Sequence, residues 1–167
     1  MHVYHGIRLI EPKKLEKGIK LWDARRCREE VSRAFNYFAN KGFINLDNSE
    51  VKNRKERALV ECDERFEKKG IHATFLNEAA CGWAMRNPEI TWIWLATIID
   101  REGNQVIPDE EISKYLENRY GHPYSLTIDL DRINVNHKTL SKAVGKADVF
   151  IPMDELNSNI VSDIKRC

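Results

Sequence analysis

Four short stretches of this 167-residue chain carry side chains suited to chemistry. The first is Val3-Tyr4-His5-Gly6. An imidazole at a strand end can hydrogen-bond a hydroxyl, and a following glycine lets main-chain N–H and C=O groups come up against a ligand. The second is Gly70-Ile71-His72-Ala73-Thr74, another histidine among small and apolar residues. The third is Trp83, nine residues after Thr74, an aromatic able to stack on a planar ring. The fourth is Asp148-Val149-Phe150-Ile151-Pro152, a carboxylate that opens an apolar run. Each has a plain alternative. His5 suits a turn at the surface, Trp83 a core position near Ala79, Ala80 and Ala84, and Asp148 a solvated strand start.

The elements that must position these residues are α+β in pattern, with helices concentrated early and strands late in a single domain over 1–167. His2–His5 reads as a short strand closed by Gly6. Residues 22–41 read as a helix, because Val31, Phe35 and Phe38 recur at helical spacing and Gly42 stops it. A second helix is expected over 50–69, with Ser49 as its N-cap and Leu59, Cys62 and Phe66 on one stripe. Residues 22–69 thus form a helical segment within the domain. Ile71–Phe75 is a strand candidate, and a short helix capped by Asn77 follows to Arg86. Thr91–Ile99 is aromatic and β-branched and reads as a central strand. A turn at Asp100–Asn104 precedes a helix over Pro108–Arg119. Ser125–Leu130, Val149–Ile151 and Asn159–Ile164 are strand candidates, with a short helix expected over His137–Val144.

Composition narrows the classes. The net charge is +1, but residues 1–69 carry 17 Lys+Arg against 12 Asp+Glu, and the remainder 10 against 14. A basic half can face phosphates or simply be a solvated helical surface. Lys52–Arg57 is a basic cluster without an RNA-binding signature. The cysteines (Cys27, Cys62, Cys81, Cys167) form no CxxC pair, so no metal is expected, and reduced thiols in a cytoplasmic protein are the default. No apolar run approaches the ~20 residues that span a bilayer, and no apolar leader core is seen. Five histidines have no GxSxG or phosphate-binding loop beside them.

Together, the order and separations of Val3-Tyr4-His5-Gly6, Gly70-Ile71-His72-Ala73-Thr74, Trp83 and Asp148-Val149-Phe150-Ile151-Pro152 resemble the ADP-ribosyltransferase superfamily, in its diphtheria-toxin and poly(ADP-ribose) polymerase branch. The resemblance implies a split antiparallel β core, with the helical stretch beside it, and NAD as substrate. It implies that His5 and Gly6 hold the ribose and nicotinamide, that Thr74 lies in the same pocket, and that His72 and Trp83 flank the ring. Asp148 takes the place of the catalytic acid, with Asp154, Glu155 and Asp129 as rivals, and His5 assists. Three departures mark a divergent member. His72 stands where tyrosine is usual, Ala80 where a serine often bonds the carboxamide, and Asp148 where glutamate is the norm. The implied activity is NAD-dependent mono-ADP-ribosyl transfer to a protein or nucleic-acid acceptor, as in bacterial toxins and phage-encoded effectors. The alternatives are an NAD glycohydrolase on the same fold, and a non-catalytic binding module with a vestigial pocket.

Overall fold

Val3, Ile7 and Leu9 fall on one side of the alternating stretch His2–Leu9, which is the central strand, β1, of a five-stranded sheet in a computed structural model that describes residues 1–133 and 148–167. The chain continues through a 3-10 turn at Pro12–Lys17, β2 (Ile19–Lys20), α1 (Ala24–Asn40), α2 (Ser49–Arg65), β3 (Gly70–Thr74), α3 (Asn77–Met85), α4 (Glu89–Ala96) and α5 (Asp109–Tyr120). It ends in β4 (His122–Asp129), β5 (Asp148–Pro152), β6 (Glu155–Leu156) and β7 (Val161–Arg166). The fold is mixed α and β, with antiparallel sheets. No helix among the described residues is long and apolar enough to cross a membrane.

Contacts gather the elements into two compact units, each built from separated stretches. The helical unit comprises Trp22–Lys68 and Pro88–Asn118, so the early helical segment is joined by a later one. In α1, Cys27, Val31, Ala34, Phe35 and Phe38 form a buried stripe. Asp23 caps its start by accepting from the Arg26 amide at 2.8 Å, and Gly42 follows its end at φ 79°. The N-cap of α2 is Asn48, not Ser49: the Asn48 side chain accepts from the Glu50 and Val51 amides, and Ser49 is already helical. Both residues have a suitable oxygen, and the backbone decides by leaving Asn48 extended.

The largest departure from expectation is the strand placed at Thr91–Ile99. Most of it is α4, entered through Pro88 with Glu89 in the first turn. The run is apolar without alternation, and such a run suits a helix apolar on all sides as well as a buried strand. Ile90, Thr91 and Leu95 are buried, and the Trp94 indole donates to Glu61 of α2 at 2.5 Å. The cysteines also depart from expectation. They are not free thiols: Cys27 bonds Cys62 between α1 and α2, and Cys81 bonds Cys167.

The sheet unit comprises Met1–Leu21, Lys69–Asn87 and Arg119–Cys167. Its large sheet has the order β5-β3-β1-β4-β7, and β2 pairs with β6 in a small second sheet. β1 runs longer than expected, through Gly6 to Leu9, and pairs with β4 along its whole length, from His2↔Asp129 to Leu9↔His122. Val3, Leu9, Leu126, Ile128, Ile71, Ala73, Val149 and Ile151 form an apolar cluster with Leu15 and Leu156. On the opposite face α3 packs against β1, β3 and β4. The helix expected at His137–Val144 lies outside the described residues.

Candidate functional site

Strand alternation decides which candidate side chains meet. Tyr4 pairs with Thr74, and Thr74 with Asp148, so these three form one row across β1, β3 and β5 on the face that α3 packs against. His72 lies two residues before Thr74 and shares that face, with its register partner Phe150 at a ring separation of 5.2 Å. His5, next to Tyr4, leaves the sheet on the other face. His5, expected to hold the ribose, and His72, expected to flank the ring with Trp83, thus project from opposite faces of the sheet, and the pocket implied by the resemblance is altered in this respect.

The histidines are nevertheless joined. The His5 Nδ1–H donates to the His72 carbonyl at 2.8 Å, across a separation of 67 residues. Only a donor can satisfy a carbonyl, so Nδ1 carries the proton and Nε2 is left as an acceptor. Burial lowers the basicity of His5 below the ordinary imidazole value; the carbonyl bond opposes this, and the His72 imidazole adds to it.

The same bond bridges β1 and β3, neighbours in the continuous five-stranded sheet. The β1–β3 register consists of the pair Tyr4↔Thr74. A His72 carbonyl that β1 can reach points towards β1, and so, two residues on, does the main chain of Thr74. In β1, Tyr4 and Gly6 then direct their amides and carbonyls at β3. The same antiparallel register puts Gly6 opposite His72, whose carbonyl accepts from His5. The Gly6 main chain thus faces β3 beside this bond. A Cβ on Gly6 would run into the main chain of Ala80 and Ala84, so its missing side chain lets α3 sit on β1. The ligand-side reading of this glycine rests on its N–H and C=O alone.

Helix geometry places Trp83. Ala80 and Ala84 are fully buried and mark the sheet side of α3. At roughly 100° per residue, Cys81 and Trp83 lie about 80° to either side of that direction. Cys81 is bonded to Cys167, beyond the end of β7, so its flank looks towards β7 and the flank of Trp83 looks towards β3. Thr74 is buried, and its hydroxyl accepts from the Leu76 amide at 3.2 Å, shaping the turn into α3. Asp148 is exposed beside it at the start of β5. Of the rival acids, Asp154 pairs with Lys69 at 3.7 Å and Glu155 lies against Gly18, both beyond the end of β5. Asp129 is engaged by Arg132 at 3.1 Å.

One residue was missed. Arg8 is buried on the α3 side of β1, with one nitrogen donating to the Gly121 carbonyl at 3.1 Å and another to Met85, at the end of α3, at 2.5 Å. An arginine between Ile7 and Leu9 is the signal that could have found it. Two open surface depressions, of about 710 and 580 Å³, lie on the helical unit and include none of the candidate residues. No metal-suited cluster of three or more His, Cys, Asp or Glu side chains occurs among the described residues. Comparison of the chain with protein-family models, curated proteins and solved structures gives no match.

Proposed function

We propose that the sheet unit is an NAD-consuming domain that breaks the bond between nicotinamide and ribose and transfers ADP-ribose to a macromolecular acceptor. The observation that carries the proposal is the His5–His72 hydrogen bond between β1 and β3, because it joins the two sequence stretches whose resemblance suggested the activity. Gly6 offers main-chain groups for the carboxamide beside that bond. Trp83 overhangs β3 as a stacking surface, and His72 lines the strand beneath. Asp148 is one register step along on the same face. It would stabilise the positive charge that grows on the ribose as nicotinamide leaves with the bonding electrons. His5, neutral and on the other face, acts as a positioning residue for the β1–β3 junction. The two disulfides favour an oxidising compartment over the cytoplasm expected from composition.

Nicotinamide release from NAD tests the proposal. Asp148→Ala is expected to lower turnover on the order of 10²–10³-fold, the scale of one lost preorganised contact, while NAD affinity changes little. Asp148→Asn keeps the size but not the charge and is expected to be nearly as slow. Labelled NAD then separates transfer, which marks protein or nucleic acid, from glycohydrolysis, which leaves free ADP-ribose. A wild-type chain that neither binds NAD nor releases nicotinamide would leave the binding-module alternative and end this proposal.

A further inference from the structure

We propose that the Cys81–Cys167 disulfide is a redox-controlled tether that fixes α3, and with it Trp83, over the sheet; the consequence for NAD rests on the function proposed above. The two disulfides differ in setting. Cys27 and Cys62 are buried, at 2% and 0% exposure, inside the helical unit. Cys167 is exposed and Cys81 half-buried, so this bond is open to a reductant. Lys165 and Arg166 precede Cys167 and are exposed, and such cations favour attack by an anionic thiolate.

What the bond holds is specific. α3 is nine residues long, too short to persist without tertiary contacts. Among the described residues, the close approach at Gly6, the Arg8 bond to Met85 and the tether all hold it. The first two act on the sheet-facing stripe and the C-terminal end. The tether grips a flank, and it is the flank opposite Trp83. A constraint on one side of a helix resists rolling about its axis, and rolling would carry Trp83 away from or towards β3. Opening the bond therefore leaves α3 seated but free to roll.

The exchange balances with a dithiol reductant. Its thiolate attacks one sulfur of the pair and forms a mixed disulfide, and its second thiol closes on the first. Two electrons pass to the protein, Cys81 and Cys167 each end as a protonated thiol, and the dithiol becomes a cyclic disulfide.

The test treats the intact chain with dithiothreitol at neutral pH without denaturant, alkylates it and maps the labelled peptides. Labelling at Cys81 and Cys167, with Cys27 and Cys62 protected, is expected. Amide exchange across 77–85 should then accelerate on the order of tenfold, while the β1–β4 amides keep their protection. A Cys81→Ser/Cys167→Ser variant should reproduce that exchange pattern without reductant. Equal labelling of all four cysteines, or unchanged exchange in α3 of both the reduced chain and the variant, would overturn the proposal. The NAD measurement is separate. If the untreated chain turns over NAD, its KM should rise several-fold on reduction, and an unchanged KM would refute control of the pocket. If it does not, the function proposed above fails, and labelling and exchange still decide the tether.

Discussion

Replacing Gly6 with alanine sets two known effects against each other at one site. Gly6 does not have a positive φ, so alanine fits the backbone, and a glycine-to-alanine change at a compatible position stabilises by about 0.4–1 kcal/mol through the unfolded chain. Against this, the new methyl would stand only 2.7 Å from the Ala84 amide nitrogen and 3.1 Å from the Ala80 carbonyl carbon, and it overlaps the Ala80 oxygen. These are main-chain atoms of a helix and cannot turn aside as a side-chain tip would. Overpacking costs about 1–3 kcal/mol, and overlap with main-chain atoms takes the upper part of that range, about 2–3 kcal/mol, so the net loss is roughly 1–2.6 kcal/mol. For a chain of this size each kcal/mol moves Tm by about 2–4 °C, which gives a fall of about 2–10 °C. Gly82, exposed on the same helix with nothing within 4 Å of its would-be Cβ, supplies the opposite sign. Gly82→Ala should gain about 0.5–1 kcal/mol from helix propensity and raise Tm. Thermal melts followed by circular dichroism compare the three chains. A Gly6→Ala chain that melts at or above the wild-type temperature would mean that α3 is not seated on β1, and the placement of Trp83 would go with it. The same melts bear on function: lost NAD binding in Gly6→Ala reports a ligand contact only where the fold is intact.

Two further outcomes follow from the geometry. Because His5 is less basic folded than its ordinary value of 6.5, the unfolded chain binds the extra proton first, and stability is lost as pH falls below about 6.5 towards the folded value. His5→Gln should flatten the stability–pH curve in that window by at most about 1.4 kcal/mol per pH unit, and parallel curves for variant and wild type would refute the lowered basicity of this half-buried imidazole. Removing the Cys27–Cys62 bond, which closes a separation of 35 residues, with a Cys27→Ala/Cys62→Ala variant should cost about 3–4 kcal/mol in urea titration. A loss below about 1 kcal/mol would show that the pair contributes little constraint.

Much of the helix and strand content was legible because local rules and tertiary packing agree. The stripe Val31, Phe35 and Phe38 needs a helix to face one way, and Gly42 is suited to the turn that ends it. Gly70–Thr74 and Asp148–Pro152 sit between turn signals, and pair with each other. Thr91–Ile99 was misread because a fully apolar run has no period; only burial among helices made it α4. The thiols were misjudged because proximity of Cys27 to Cys62, or of Cys81 to Cys167 across 86 residues, is set by packing and not by spacing. The candidate site divides in the same way. The sequence alone determined which residue types could bind a hydroxyl, approach a carboxamide, stack on a ring or carry a negative charge. Only the tertiary structure decided their sides: it put His5 on one face and His72, Thr74 and Asp148 on the other, because each residue along a strand reverses direction and the register Tyr4↔Thr74 fixes the phase.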